Sequence, residues 1–167
     1  DIKAFQKLFE DLDGKVAAMG VGGADIYLVA GQKRYAFTQI LGCLRNVKET
    51  PVVDGSGLKH TLERRALYWL QESGTVDFKK ERALLVSAVD RYGMAQALDE
   101  LCPHVVYGDL LFGLNLGLPL RSYKAVERVG KLALPIITRC PLQWFYPTGE
   151  KQESRKPLHP KVWADAT

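Results

Sequence analysis

"RALLVSAVDRYGMAQALDELCPHVVYGD", residues 82–109, carries the pattern that decides the fold. Its first nine residues, Arg82 to Asp90, form a nearly continuous apolar run, as expected for a strand covered on both faces. Met94, Ala97, Leu98 and Leu101 then recur at helical spacing. "PHVVYGD" (103–109) reads as a second strand. A strand, a helix of this length and another strand predict a parallel pair joined by a helical crossover.

The alternation extends outward. "TPVVDG" (50–55) reads as a strand, and the helix after it carries Leu58, Leu62, Ala66 and Trp69 as its inward face. Tyr123 to Leu134 reads as a helix that Pro135 ends. Upstream, Ile2, Phe5, Leu8, Phe9 and Leu12 share one helical face, and Gly14 stops that helix. "KVAAMGVGG" (15–23) reads as a short buried strand. In "ADIYLVAGQKRYAFT" (24–38) two β-rich runs meet at Ala30-Gly31-Gln32-Lys33, a hairpin signal, and Thr38 is placed to cap a following helix over Ile40, Leu41, Leu44 and Val47. The expectation is an α/β fold: a Rossmann-like three-layer sandwich, its sheet mostly parallel with an added antiparallel hairpin. Residues 1–150 form one such domain; 151–167 read as a polar C-terminal arm or the start of a further segment. "LLFGLNLGLPLRS" (110–122) reads as an apolar, glycine-rich loop: folded over the core, a lid, or a partner surface. "PLQWFYPTG" (141–149) reads as an edge strand or a packing loop.

The 167 residues are 47% hydrophobic and 25% charged, with net charge +4 and pI near 8.9. That balance builds a real core and excludes a disordered chain. The excess of base fits a small anionic molecule or nucleotide as partner better than a nucleic acid, because the basic residues are spread and lack interleaved aromatic platforms. No apolar run approaches the roughly 20 residues that span a bilayer, so no membrane association is expected. Cys43, Cys102 and Cys140 are widely spaced and odd in number, which points to reduced thiols in a cytoplasmic protein and to no metal site. A homo-oligomer stays open.

Asp54, Asp90 and Asp109 each stand at the end of an expected strand. On a parallel sheet they share the rim where ligands bind, and can hold a metal, ribose hydroxyls or a catalytic proton; each can also be a plain helix cap, Asp90 above all. "DGSGLK" (54–59) has two readings of equal weight. Gly55, Ser56 and Gly57 with the following helix N-terminus and Lys59 can cradle a phosphate or carboxylate; or they form a plain capped turn. His60 beside them can act as an acid or base, or be a surface histidine. "MGVGGAD" (19–25) lacks the dinucleotide fingerprint, since a strand-like run follows rather than a helix, but Gly20, Gly22 and Gly23 can line a cofactor pocket with backbone amides. Arg121, Lys124, Arg128 and Lys131 repeat on one helical side, as a solvated basic face or a phosphate contact.

"DGKVAAMGVGGADIYLVAGQKRY" (13–35), "TPVVDGSGLKHTLERR" (50–65) and "YGDLLFGLNLGLPLRS" (107–122) resemble a prokaryotic α/β family labelled quinate 5-dehydrogenase, with likeness from about Leu12 to Lys151. The resemblance implies NAD(P)-dependent oxidation of a shikimate-related hydroxy acid. Quinate and shikimate dehydrogenases pair a catalytic Lys with an Asp in a separate substrate domain, and their glycine loop opens a helix; this chain has neither feature. Lys59 with Asp54 or Asp90 is the nearest substitute for the pair, giving Lys59, Asp54 and His60 as catalytic candidates. The alternative is a non-enzymatic ligand-binding or interaction domain.

Overall fold

β5 (Arg82–Leu85), α5 (Tyr92–Leu101) and β6 (His104–Tyr107) form the parallel unit that the 82–109 stretch predicts, with Arg82 opposite His104 and Leu85 opposite Tyr107. The structure, a computed structural model, describes residues 2–144 and 159–166. β5 ends four residues or more before Asp90. Its last ladder bond is Gly108 N–H to Leu85 C=O (2.8 Å). Beyond it Val89 N–H turns to the Asp109 carboxylate (3.0 Å), and Val89 C=O accepts from Val29 N–H (3.0 Å). Val86 and Val89 therefore wall a cavity, and Ala88 packs into the core, instead of extending the strand.

The other ladders are equally short. β1 (Met19–Gly20) runs parallel to β4 (Val52–Val53), and β2 (Tyr27–Ala30) pairs antiparallel with β3 (Lys33–Ala36). The hairpin turns at Gly31, whose φ of 67° suits the first position of a two-residue loop with Gly leading. The chain is thus mixed α/β, with three two-stranded ladders among the described residues.

The helices are α1 (Ile2–Leu12), α2 (Thr38–Cys43), α3 (Ser56–His60), α4 (Leu62–Glu72), α5, α6 (Tyr123–Ile137) and α7 (Pro160–Ala166). Several sequence expectations change here. Thr38 is not a cap: Phe37 holds that position without a side-chain bond, and the Thr38 hydroxyl donates to Thr138 C=O (3.3 Å). Leu41 is exposed rather than inward. On α3–α4 the supposed inward stripe faces solvent, with Leu58 62%, Leu62 60% and Trp69 62% exposed. α4 instead rests on α5 through Leu67, with Tyr68 and Leu70 alongside. Pro135 does not end α6. It lies one turn from the helix end, where its missing N–H forfeits only one bond, and Thr138 N–H still reaches Leu134 C=O (3.0 Å).

The 110–122 stretch is not wholly loop. Asp109–Gly113 forms a π-helical turn, and Leu120 then bridges Tyr107. Of the expected 151–167 arm, residues 151–158 lie outside the described residues, as do 145–149 of the aromatic stretch. α7 packs Trp163 on Phe112 (ring centroids 5.5 Å), and His159 Nε2 stands 3.0 Å from Leu111 C=O.

Two apolar clusters result. One gathers Phe9, Ile26, Leu28 and Phe37 with Leu134 and Leu142; the other gathers Leu67, Leu85, Leu98, Val105, Tyr107 and Val126. Val89 packs against both. No helix among the described residues is long and apolar enough to cross a membrane.

Candidate functional site

The "DGSGLK" stretch is built around Asp54. Its Oδ1 accepts from Ser56 N–H (3.1 Å) and Ser56 Oγ–H (2.6 Å), closing a turn of the kind Asp forms with the residue two ahead. Its Oδ2 accepts from Ile26 N–H (3.0 Å) and Tyr27 N–H (3.3 Å), tying the end of β4 to the start of β2. The Ser56 amide that an incoming anion would use is thus already taken by Asp54, and α3 is only five residues long. Burial pushes the Asp54 carboxyl up, but the Ser56 hydroxyl and the amides of Ser56, Ile26 and Tyr27 outweigh it and hold the group below the usual range.

Lys59 makes the contact that the sequence left open. Its ammonium donates to both Asp25 and Asp90, not to Asp54. The three side chains are 13%, 15% and 24% exposed. Burial opposes charge on Lys59, yet the bonds to Asp25 and Asp90 prevail and raise it above its ordinary value. Lys59 is therefore an ammonium at neutral pH: it donates and does not abstract protons. Burial, reinforced by the nearby Asp90 charge, pushes the Asp25 carboxyl up against the pull of Lys59. Asp90 is not the cap of α5, a position held by Arg91 without a side-chain bond. Its Oδ2 meets Arg91 Nε (3.3 Å), and Arg91 in turn pairs with Glu63 on α4.

Asp25, Asp90 and Asp109 open onto one cavity of about 310 Å³. Apart from Ser87 its other walls are apolar: Leu28 and Phe37 from one side, Val126 and Leu134 of α6 from another, Phe112 and Leu114 from the π-turn segment. Asp109 Oδ1 accepts from Val89 N–H, while its Oδ2 is buried without a hydrogen-bond partner among the described residues. Burial drives this carboxyl above its ordinary value despite the backbone amides. So two of the three strand-end acids share the cavity; Asp54 does not, being spent on the β4–β2 tie.

The remaining candidates sit around this centre. His60 turns its ring edge-on to Tyr92 (centroids 6.1 Å apart); burial, then the charge of Arg34, lowers its pKa. It is not among the cavity walls. Gly20 lies in β1, and Gly22 and Gly23 turn the chain directly into β2, so no helix follows them. Nor do they line the cavity, and Gly55, Ser56 and Gly57 do not either. No group of three or more His, Cys, Asp or Glu among the described residues is placed to hold a metal ion. The sequence reading missed Asp25, which directly follows the glycine turn. It also missed Gly93, where a Cβ would stand 2.4 Å from Lys59 C=O. Its signal was the Tyr-Gly pair opening a helix where glycine is costly.

Residues 57–167, more than half of the chain, match the family described as Domain of unknown function (DUF8754), and the chain belongs to that family. Residues 1–54 match a second description, Domain of unknown function (DUF8753). No curated protein and no solved structure matches the chain.

Proposed function

We propose that this DUF8754 member is a Rossmann-like α/β domain that binds a small hydroxylated molecule in the cavity between the π-turn and α6. The observation that carries the reading is the convergence of Asp25, Asp90 and Asp109 on one otherwise apolar cavity. Carboxylates accept hydrogen bonds from hydroxyls, and the apolar walls suit ring carbons, the usual division of labour in a ligand pocket. Three carboxylates answered by one ammonium favour a ligand that presents hydroxyls over a compact phosphate. The Rossmann-like part of this reading is supported by two ties between the separate two-stranded ladders, the backbone bond from Val29 to Val89 and the Asp54 carboxylate on Ile26 N–H. Cys43, Cys102 and Cys140 all stay as free thiols, which fits a cytoplasmic setting. Calorimetric titration with quinate, shikimate and uncharged ring polyols tests the reading. Saturable binding weakened by Asp90→Asn and Asp109→Asn is expected. Absence of binding by the whole set, or binding indifferent to both changes, rejects it.

A second reading is favoured by one contact, Lys59 on Asp90, which pairs the residue types that the quinate dehydrogenase resemblance requires. In it the domain oxidises the bound hydroxyl with NAD or NADP. The cofactor would accept the hydride. The chain's own part is Asp90 receiving the hydroxyl proton, with the Lys59 ammonium, which is not itself a cavity wall, holding Asp90 in place. Titrating NAD(H) and NADP(H) with each hydroxy acid present checks this: reduction that Lys59→Met abolishes is expected, and no binding of either nucleotide eliminates the dehydrogenase.

A further inference from the structure

We propose that the chain has a second binding site, for a compact oxyanion such as phosphate or a phosphomonoester, at the N-terminal end of the β5–β6 ladder. The placement follows from strand alternation. Val105 and Tyr107 face the core, so His104 and Val106 face the other way. Arg82 is the register partner of His104 on the adjacent strand and shares its face. After the π-turn the chain returns along β6. Tyr107 and Leu120 exchange both backbone bonds (2.8 and 3.1 Å), and the next residue, Arg121, comes beside Val106 on that same face.

Arg82, His104 and Arg121 thereby line one cleft of about 160 Å³, floored by Val106 and edged by Pro103. Among the described residues no carboxylate lines it. None of these three side chains forms an ion pair or hydrogen bond among the described residues. Two guanidinium-bearing side chains that line one cleft repel each other, and an oxyanion bound between them reverses the sign of that interaction. The planar fork of Arg suits phosphate oxygens in particular. Lys124 and Arg128, exposed on the first turns of α6 just after Arg121, extend the positive field that draws an anion in.

The site is separate from the acidic cavity. Asp90 and Asp109 follow the C-terminal ends of β5 and β6, whereas Arg82 and His104 begin them, about 10 Å away along the strands. The inference does not depend on the ligand proposed for the cavity.

Titration of the intact chain with inorganic phosphate, at ionic strength matched with chloride, tests it by NMR and calorimetry. One-to-one binding is expected, with amide shifts confined to residues around 82, 104 and 121. Arg82→Gln and Arg121→Gln should each weaken it about 10-fold or more, as loss of a charge-assisted bond does, and Arg82→Lys should retain part. Both substituted positions are exposed, so circular dichroism should be unchanged. Ribose 5-phosphate binding more tightly than phosphate identifies an organic phosphate as the occupant; equal affinity identifies the free anion. The proposal is overturned by affinity no greater than for chloride, by shifts at the acidic cavity instead, by an unaffected Arg82→Gln/Arg121→Gln double variant, or by a nucleic acid outcompeting both.

Discussion

Lys59 holds two carboxylates that would otherwise repel each other. Lys59→Met leaves Asp25 and Asp90 facing across a largely dry gap. Breaking a fully buried pair costs about 3–5 kcal/mol, and this partly exposed one should cost about 2–3 kcal/mol in urea unfolding. Adding Asp25→Asn to that variant should restore part of the loss; a further loss would refute the repulsion. Asp109 behaves in the opposite sense. Burial raises its carboxyl, so the folded chain keeps the proton to higher pH than the unfolded chain does. Between the unfolded value, about 3.9, and the raised folded value, stability therefore falls as pH rises, and the full deficit persists above. Asp109→Asn should raise the melting temperature at pH 7, and the gain should vanish near pH 3. A gain independent of pH would exclude ionisation as its cause. At this scale the sequence revealed the acids but not their tasks. Asp54, Asp90 and Asp109 look alike in a string, each closing an apolar run. Which one ties ladders, which meets an ammonium and which lines a cavity depends on amides 20 to 30 residues away, such as Val89 for Asp109 and Ile26 for Asp54. Asp25 escaped because the glycines before it and the strand-like run after it drew the reading to the turn and not to its carboxylate.

Helix α3 and helix α5 meet at Gly93. A Cβ there would lie 2.4 Å from Lys59 C=O and 3.0 Å from His60 Cα, both backbone atoms that cannot swing aside. Alanine gains about 1 kcal/mol of helix propensity over glycine, but forcing the helices apart costs about 1–3 kcal/mol or more. The clash should win: Gly93→Ala is expected to lower the melting temperature and to weaken cavity ligands, because it displaces the backbone that carries Lys59. A stabilised Gly93→Ala would show that the helices part freely. Elements with a strong local signal were legible. α1, the 27–36 hairpin, α5 and β6 lie where periodicity and the Gly31 turn put them. What failed was the choice of face. Leu58, Leu62 and Trp69 form a genuine helical stripe, but periodicity does not say whether a stripe meets the core. Here α5 takes the side of α4 marked by Leu67, and Arg64 and Tyr68 reach Glu100 across the same seam. The early end of β5 was hidden for a like reason: "VSAV" is as apolar lining a cavity as it is within a sheet.

At the scale of the whole molecule, the two family segments meet at residues 54–57, inside the turn that Asp54 organises. That boundary is not a boundary of the core. The cluster around Phe9, Ile26, Leu28 and Phe37 is completed by Leu134 and Leu142 from the second segment. Gly130 of α6 sits so close to β2 that a Cβ would meet the Ala30 methyl at 2.7 Å. Thr38 N–H reaches Thr138 C=O (3.0 Å), and Leu142 N–H reaches Gln39 Oε1 (3.0 Å). The cavity is divided in the same way, with Asp25, Leu28 and Phe37 from the first segment and the rest from the second. A separately expressed 1–54 fragment should therefore be largely unfolded by circular dichroism, since Phe37 and Ile26 would lose their cover. The 57–167 fragment should retain helix but bind hydrophobic dyes and lack a sharp thermal transition, as loosely packed chains do. Mixing the two should recover structure and ligand binding together. Cooperative unfolding of 1–54 alone would mean that the first segment carries its own core. The shared cavity would then be an interface between two units instead of the interior of one.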